Sequence, residues 1–327
     1  MTLRIHFTAD DLARTTVAAG PDPMWELVSS LHRLQSARSG VRHRRWLRHV
    51  HGRLHSAHSG SLREALGPLT RLVPRRGDFP DFLTPQGGGD FAAALDRVAA
   101  TPGHRVRREL AGAFRGRRAP GWIRRLAADD RACRRELRTA LTVYYREVLR
   151  PHLPEIGETV LAERALCGRS VVDGGVGALL STLAPSIRWA APLLSTDYPS
   201  DRDVFLRGRG ITLIPSFFCV DTPVALIDPE LPPVLVYPVT AGAGPQTAVP
   251  EGLAALLGRT RARAVRALAH PRSTTELARR LGVSAGTASR HATALREAGL
   301  VVSARRGNTM LHVVTELGRD LDRSRSV

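Results

Sequence analysis

Thr287, Ser289 and Arg290 stand in the first two turns of a short helical pattern. Threonine and serine hydroxyls reach bases or phosphates, and an arginine forks onto the O6 and N7 of a guanine. That chemistry is useful on a helix whose N-terminal end enters a groove of a duplex. Ser284 is placed to cap this helix, and Ala285 and Gly286 keep its first turn slim. Further on, Arg305, Arg306 and Asn308 fall in a polar turn between two β-branched runs, where they can touch phosphates or the minor groove. The candidate contact set is Thr274, Ser284, Ala285, Gly286, Thr287, Ser289, Arg290, His291, Arg305, Arg306 and Asn308. The partner it implies is double-stranded DNA.

These side chains need a scaffold, and the flanking residues supply one. Ser273 precedes a helix and Glu276 stands three residues later, the pattern of a capping box. Leu277 and Leu281 share one face of that helix, and Ala278 is small enough for close helix–helix approach. Gly282 ends the helix, Val283 plugs the turn, and the second helix is expected to bury Ala288, Leu295 and the ring of His291. Leu300–Ala304 and Thr309–Val314 read as a hairpin whose turn is Arg305–Asn308. Upstream, Leu256, Leu257, Val265 and Leu268 predict a helix that completes the small core.

The order of these signals resembles the ArsR-like winged-helix transcriptional regulators. The residues that carry the resemblance are Thr274 to Ala278, Leu281 to Ser284, Ser289-Arg290-His291-Ala292 and Ala298 to Val301. Ala292 departs from the leucine usual there. The resemblance covers the last quarter of the chain, and the whole looks like long actinobacterial members with an N-terminal region of their own. It implies a dimeric repressor. Metal-sensing members carry a cysteine pair in the helix before the recognition helix. Here Thr275–Arg279 holds none, so thiolate metal sensing is not implied.

A chain of 327 residues suggests two or three domains. Net charge is +18, and all 48 basic residues are arginine. Residues 251–327 hold 14 Arg against 6 acids, a net +8, whereas residues 1–250 hold 34 against 24. Basic density is therefore expected to concentrate on the helix-turn-helix, as a polyanionic partner requires. Cys133, Cys167 and Cys219 lie far apart with no paired motif, which fits a reducing compartment. The first residues lack the apolar region of a signal peptide, and no apolar run approaches a bilayer span. The expectation is a cytoplasmic protein with no membrane partner.

The remainder predicts an α+β, mostly helical fold: an N-terminal helical region with a small β-sheet, then a C-terminal winged helix-turn-helix. Leu3–Phe7 alternates as a strand, and Thr8 caps a helix with Asp10 and Asp11 in its first turn. Helical patterns follow over 23–34, 41–58, 90–100, 104–115, 119–128, 130–149 and 154–167, with one more helix in 170–195. Short apolar runs at 204–206, 211–214, 217–220, 224–227 and 234–237 predict the sheet. The expected domains are 1–240, a linker at 241–252, and the DNA-binding domain at 253–327. The first is expected to dimerise or to bind a small-molecule effector.

Other constellations point to no chemistry. His43, His49, His51, His55 and His58 cluster on one predicted helix, and His51 and His55 have chelating spacing. Arg42, Arg44, Arg45, Arg48 and Arg53 surround them, and these cations disfavour a metal ion. A solvated or nucleic-acid-facing helix is the better reading. Gly87–Gly89 and Gly174–Gly177 lack phosphate-loop spacing and read as loops. Ser216 and Asp221 suggest a hydrolase triad, but no nucleophile elbow is present. The expectation is no enzyme, no cofactor and no metal. The rivals are an enzyme tethered by a winged helix, and a winged helix that binds protein.

Overall fold

Apolar residues recur at three- and four-residue spacing along much of the chain, so short amphipathic helices dominate it. The computed structural model describes residues 1–36, 41–56, 59–74, 79–116, 118–184, 186–198, 201–219, 222–226, 231–240, 251–268, 271–306 and 309–323. They divide into two compact units, 1–241 and 242–327.

The first unit carries β1 (Thr2–His6), α1 (Ala9–Ala13), β2 (Thr16–Val17), α2 (Pro23–Leu34), α3 (Arg44–His55), α4 (Gly60–Leu72), α5 (Phe91–Ala99), α6 (Gly103–Ala113), α7 (Gly121–Ala127) and α8 (Arg131–Tyr144). It continues with α9 (Leu153–Ser181), β3 (Ile187–Ala190), β4 (Leu193–Asp197), β5 (Arg202–Phe205), β6 (Thr212–Ser216), β7 (Val224–Leu226) and β8 (Val234–Pro238). The second unit holds α10 (Glu251–Leu257), α11 (Arg259–Ala267), β9 (Arg272–Ser273), α12 (Thr274–Leu281), α13 (Ala285–Glu297), β10 (Val301–Arg306), β11 (Thr309–Val314) and α14 (Glu316–Arg323). The fold class is α+β and mostly helical, with the helix-turn-helix at the C-terminal end.

The strands of the first unit form two sheets rather than one. One has the order β3-β4-β1-β5, with β1 antiparallel to β4 and parallel to β5. The other has the order β2-β6-β8-β7, with β6 and β8 parallel. β6 and β8 are buried at nearly every position because both faces are covered. Leu213, Leu235 and Tyr237 pack with Leu3, Ile5 and the end of α9, while Ile214, Val234 and Val236 pack with Trp25. The helices enclose a separate core around Trp46, Phe82, Tyr144, Phe217 and Phe218.

Local patterns mispredict several elements. Residues 60–72 form α4 although Gly67 and Pro68 weaken the helical signal. Within 170–195 the expected further helix is the short stretch of α9 beyond its break, ending at Ser181, and the hairpin β3–β4, which the local pattern does not show, follows it. Gly174 and Gly175 leave the helical conformation and break α9 into two pieces, a shorter interruption than the Gly174–Gly177 loop expected. Phe217 and Phe218 leave the end of β6 as a bend, not a strand, and reach the helical core.

A buried carboxylate holds that bend. Glu26 of α2 accepts from Phe217 N at 2.8 Å, Phe218 N at 3.1 Å and Ser216 Oγ at 3.1 Å. Burial pushes its pKa up to about 7. On the other side of the same residue, His43 Nε2 lies 2.9 Å from the Phe217 carbonyl, and burial holds its pKa down to about 4. Ser216 is thus a fully buried structural hydroxyl bonded to Glu26, and Asp221 lies outside the described residues. Of the other histidines, His49 meets the Glu147 carbonyl at 3.0 Å and His55 the His51 carbonyl at 2.7 Å; His58 lies outside the described residues. Among the described residues no helix is long and apolar enough to cross a membrane.

Candidate nucleic-acid interface

The interface begins with two capped helices. Ser273 Oγ accepts from Glu276 N at 3.2 Å, and a Glu276 carboxylate oxygen accepts from Ser273 N at 2.8 Å, closing the capping box. That backbone hydrogen bond holds the Glu276 carboxyl below its ordinary range. α12 ends at Gly282 in the left-handed region, φ 72° and ψ 36°, where a side chain would be strained. Ser284 then caps α13, its Oγ accepting from Thr287 N at 3.2 Å. Ala288, Ala292 and Leu295 of α13 are buried against Leu277, Ala278 and Leu281 of α12 and Val265 and Leu268 from the α11 end. Upstream, Leu253 takes the buried place expected for Leu256, which is 67 % exposed.

On the outer side of α13 a polar chain runs along one face. Ser284 Oγ lies 2.9 Å from Thr287 Oγ1, and Arg290 Nη2 donates to Thr287 Oγ1 at 3.3 Å. The spacing i, i+3, i+6 places the three in line, with Arg290 exposed at its end. Ser289, Ala285 and Gly286 are exposed beside them. His291 is half-buried rather than buried, because Ala292 takes the inward position.

Three strands complete the unit. β10 and β11 pair from Val301↔Val314 to Arg306↔Thr309, and β9 adds to β11 through Ser273↔Leu311 and Arg272↔His312. Arg305 and Arg306 are therefore the last residues of a strand, not part of the turn. Successive strand residues face opposite ways, so the two arginines leave the hairpin on opposite faces. Asn308 lies outside the described residues. Gly318 of α14 allows a close approach to this sheet, since a Cβ there would stand 2.5 Å from the Leu300 carbonyl oxygen.

Thr274 has a different place from the one its position suggests. Its Oγ1 lies 2.9 Å from His312 Nε2, and His312 Nδ1 lies 2.7 Å from Ser303 Oγ. His312 is buried, and desolvation lowers its pKa. One imidazole thus links β10, β11 and the first residue of α12. Sequence reasoning missed Ser303 and His312. The available signal was strand alternation, which puts a polar His312 on the same face as buried Val314 and so demands partners.

Around this frame Arg261, Arg279, Arg280, Arg290, Arg296 and Arg306 are exposed. A family model described as a helix-turn-helix domain matches residues 256–304, from the end of α10 into β10. No curated protein and no solved structure matches the chain. The match identifies residues 256–304 as a helix-turn-helix domain, which supports a DNA-binding role for this unit.

Proposed function

We propose that the chain is a sequence-specific transcriptional regulator, a repressor of the ArsR-like kind, that binds operator DNA as a homodimer. The observation that carries this reading is the exposed face of α13. Its first two turns present Thr287, Ser289 and Arg290, ordered by the Ser284 cap and free of the domain core. Helices of this kind read base edges with those turns. One such helix covers only a short half-site, so useful specificity calls for two, and two-fold protein symmetry calls for a pseudo-palindromic operator. In this reading the first unit, α14, or both supply the dimer contacts. The first unit also senses an effector small molecule and does no catalysis.

Selection of bound fragments from random duplex DNA, followed by footprinting, tests the proposal. The expected result is one enriched pseudo-palindrome, protected over two half-sites by a species that light scattering sizes as a dimer. Equal affinity for every sequence would remove specificity and the repressor with it. A monomer at micromolar concentration, with and without DNA, would remove the dimer.

A further inference from the structure

The charge of the first unit is not spread evenly. Residues 33–76 hold 11 Arg against a single acid, Glu64, and residues 104–138 hold 12 against four. Both stretches are denser in net charge than residues 251–327. Basic density therefore does not single out the helix-turn-helix, contrary to the coarser count. In the second stretch several arginines are spent on fixed partners: Arg105 pairs with Glu109, Arg134 with Asp129, and Arg138 with Asp96. α3, in the first stretch, differs. From 27 to 63 the sequence has no carboxylate.

Trp46, Leu47 and Val50 bury one side of α3 in the helical core. On the other side Arg44, Arg48, His51 and His55 follow i, i+4, i+7 and i+11 spacing, a line about 16 Å long flanked by Arg45. All five are exposed, and Arg44, Arg45 and Arg48 form no ion pair among the described residues. Glu147 is committed to Arg53 and Arg146, and Glu155 pairs with His152 and is attracted at longer range by Arg45. Two of the arginines also sit in the first turn of the helix, where the backbone dipole repels a cation. Such a face gains little for folding and attracts an anion. Gly52 lies on it one turn beyond Arg48, and a Cβ there would meet nothing within 4 Å, so packing does not require glycine. Its effect is to leave room on this face, where a phosphate can lie among Arg48, His51 and His55.

We infer that this face of α3 is a second DNA-contacting surface, which grips the phosphate backbone without reading sequence. A lipid surface fits less well, because an interfacial helix needs an apolar side free to insert and that of α3 is already buried. The inference rests on the reading of this chain as a DNA-binding protein.

The test is the salt dependence of duplex binding by the full chain, measured by anisotropy on the selected site and on random DNA. Each phosphate contact contributes a slope of about 0.9 in log affinity against log salt. Arg44→Gln, Arg45→Gln and Arg48→Gln combined should lower the slope by about one to three units and weaken both duplexes at least about tenfold at fixed salt. A charge-matched control, Arg115→Gln, Arg124→Gln and Arg135→Gln, should leave the slope near wild type. Gly52→Leu, which favours the helix, should weaken binding severalfold and so keeps the test sound if the triple variant folds poorly. An unchanged slope in a folded triple variant overturns the inference while wild-type binding still upholds the function. An equal fall in the control overturns it as a net-charge effect. Loss of binding to phosphatidylserine vesicles with unchanged DNA slope transfers the face to membranes and overturns it. Failure of the wild type to bind any duplex removes the proposed function and this surface together.

Discussion

Replacing Glu26 by glutamine should change the pH dependence of stability in a way that can be worked out. In the folded protein its carboxylate accepts three hydrogen bonds, from Phe217 N, Phe218 N and Ser216 Oγ. Glutamine keeps one acceptor oxygen and turns an NH2 toward Phe218 N or Phe217 N. One buried N–H is then left unpaired, at a cost of about 1–3 kcal/mol. The wild-type carboxyl has its own weakness. Its folded pKa of about 7 stands above the ordinary 4.5. Between those values the folded state holds a proton that the unfolded state has lost, so stability falls as pH rises through the window. A shift of this size corresponds to about 3 kcal/mol, all present below pH 4.5 and lost above 7. Glutamine does not titrate. Glu26→Gln should therefore be less stable than wild type at pH 5, and the gap should close or reverse by pH 8. His43, held near 4 from an ordinary 6.5, gives the opposite slope between those values, but it is present in both proteins and cancels in the difference. Urea unfolding followed by tryptophan fluorescence suits the measurement, because Trp25, Trp46, Trp122 and Trp189 all lie in the first unit. A stability difference that stays constant from pH 5 to 8 would refute the reasoning.

Three further outcomes concern the second unit. Arg290→Ala should cost roughly 1–3 kcal/mol on the selected operator and less on random DNA; equal losses at one salt concentration would make Arg290 a phosphate contact. Because Arg305 and Arg306 leave the hairpin on opposite faces, their single alanine variants should differ, one lowering the salt slope by about 0.9 and the other by little. Matched losses would contradict the strand register. His312→Phe should leave the Ser303 and Thr274 hydroxyls without their partner and cost about 1–3 kcal/mol. Amide exchange should then quicken in β10, β11 and the start of α12, and unchanged protection there would show that the imidazole link is not structural.

The parts of this protein legible in its sequence are those fixed by neighbours a few residues apart. Ser273 with Glu276, Gly282 and Ser284 act within one helical turn, so the capping box, the left-handed stop and the second cap could be named from spacing alone. The Thr8 cap is read the same way, and the structure adds that Asp11 closes a capping box with it. The tertiary structure decided whatever depends on distant partners. β1 pairs with β4 and β5 across nearly two hundred residues, and no local pattern tells Leu3–His6 which strand will lie beside it. Thr274 looks like a groove contact until His312, thirty-eight residues on, claims its hydroxyl. Glu26 looks like an ordinary first-turn acid until folding closes the bend at Phe217 and Phe218 over it. Burial and pairing are properties of a volume, and the volume exists only after the chain has closed on itself.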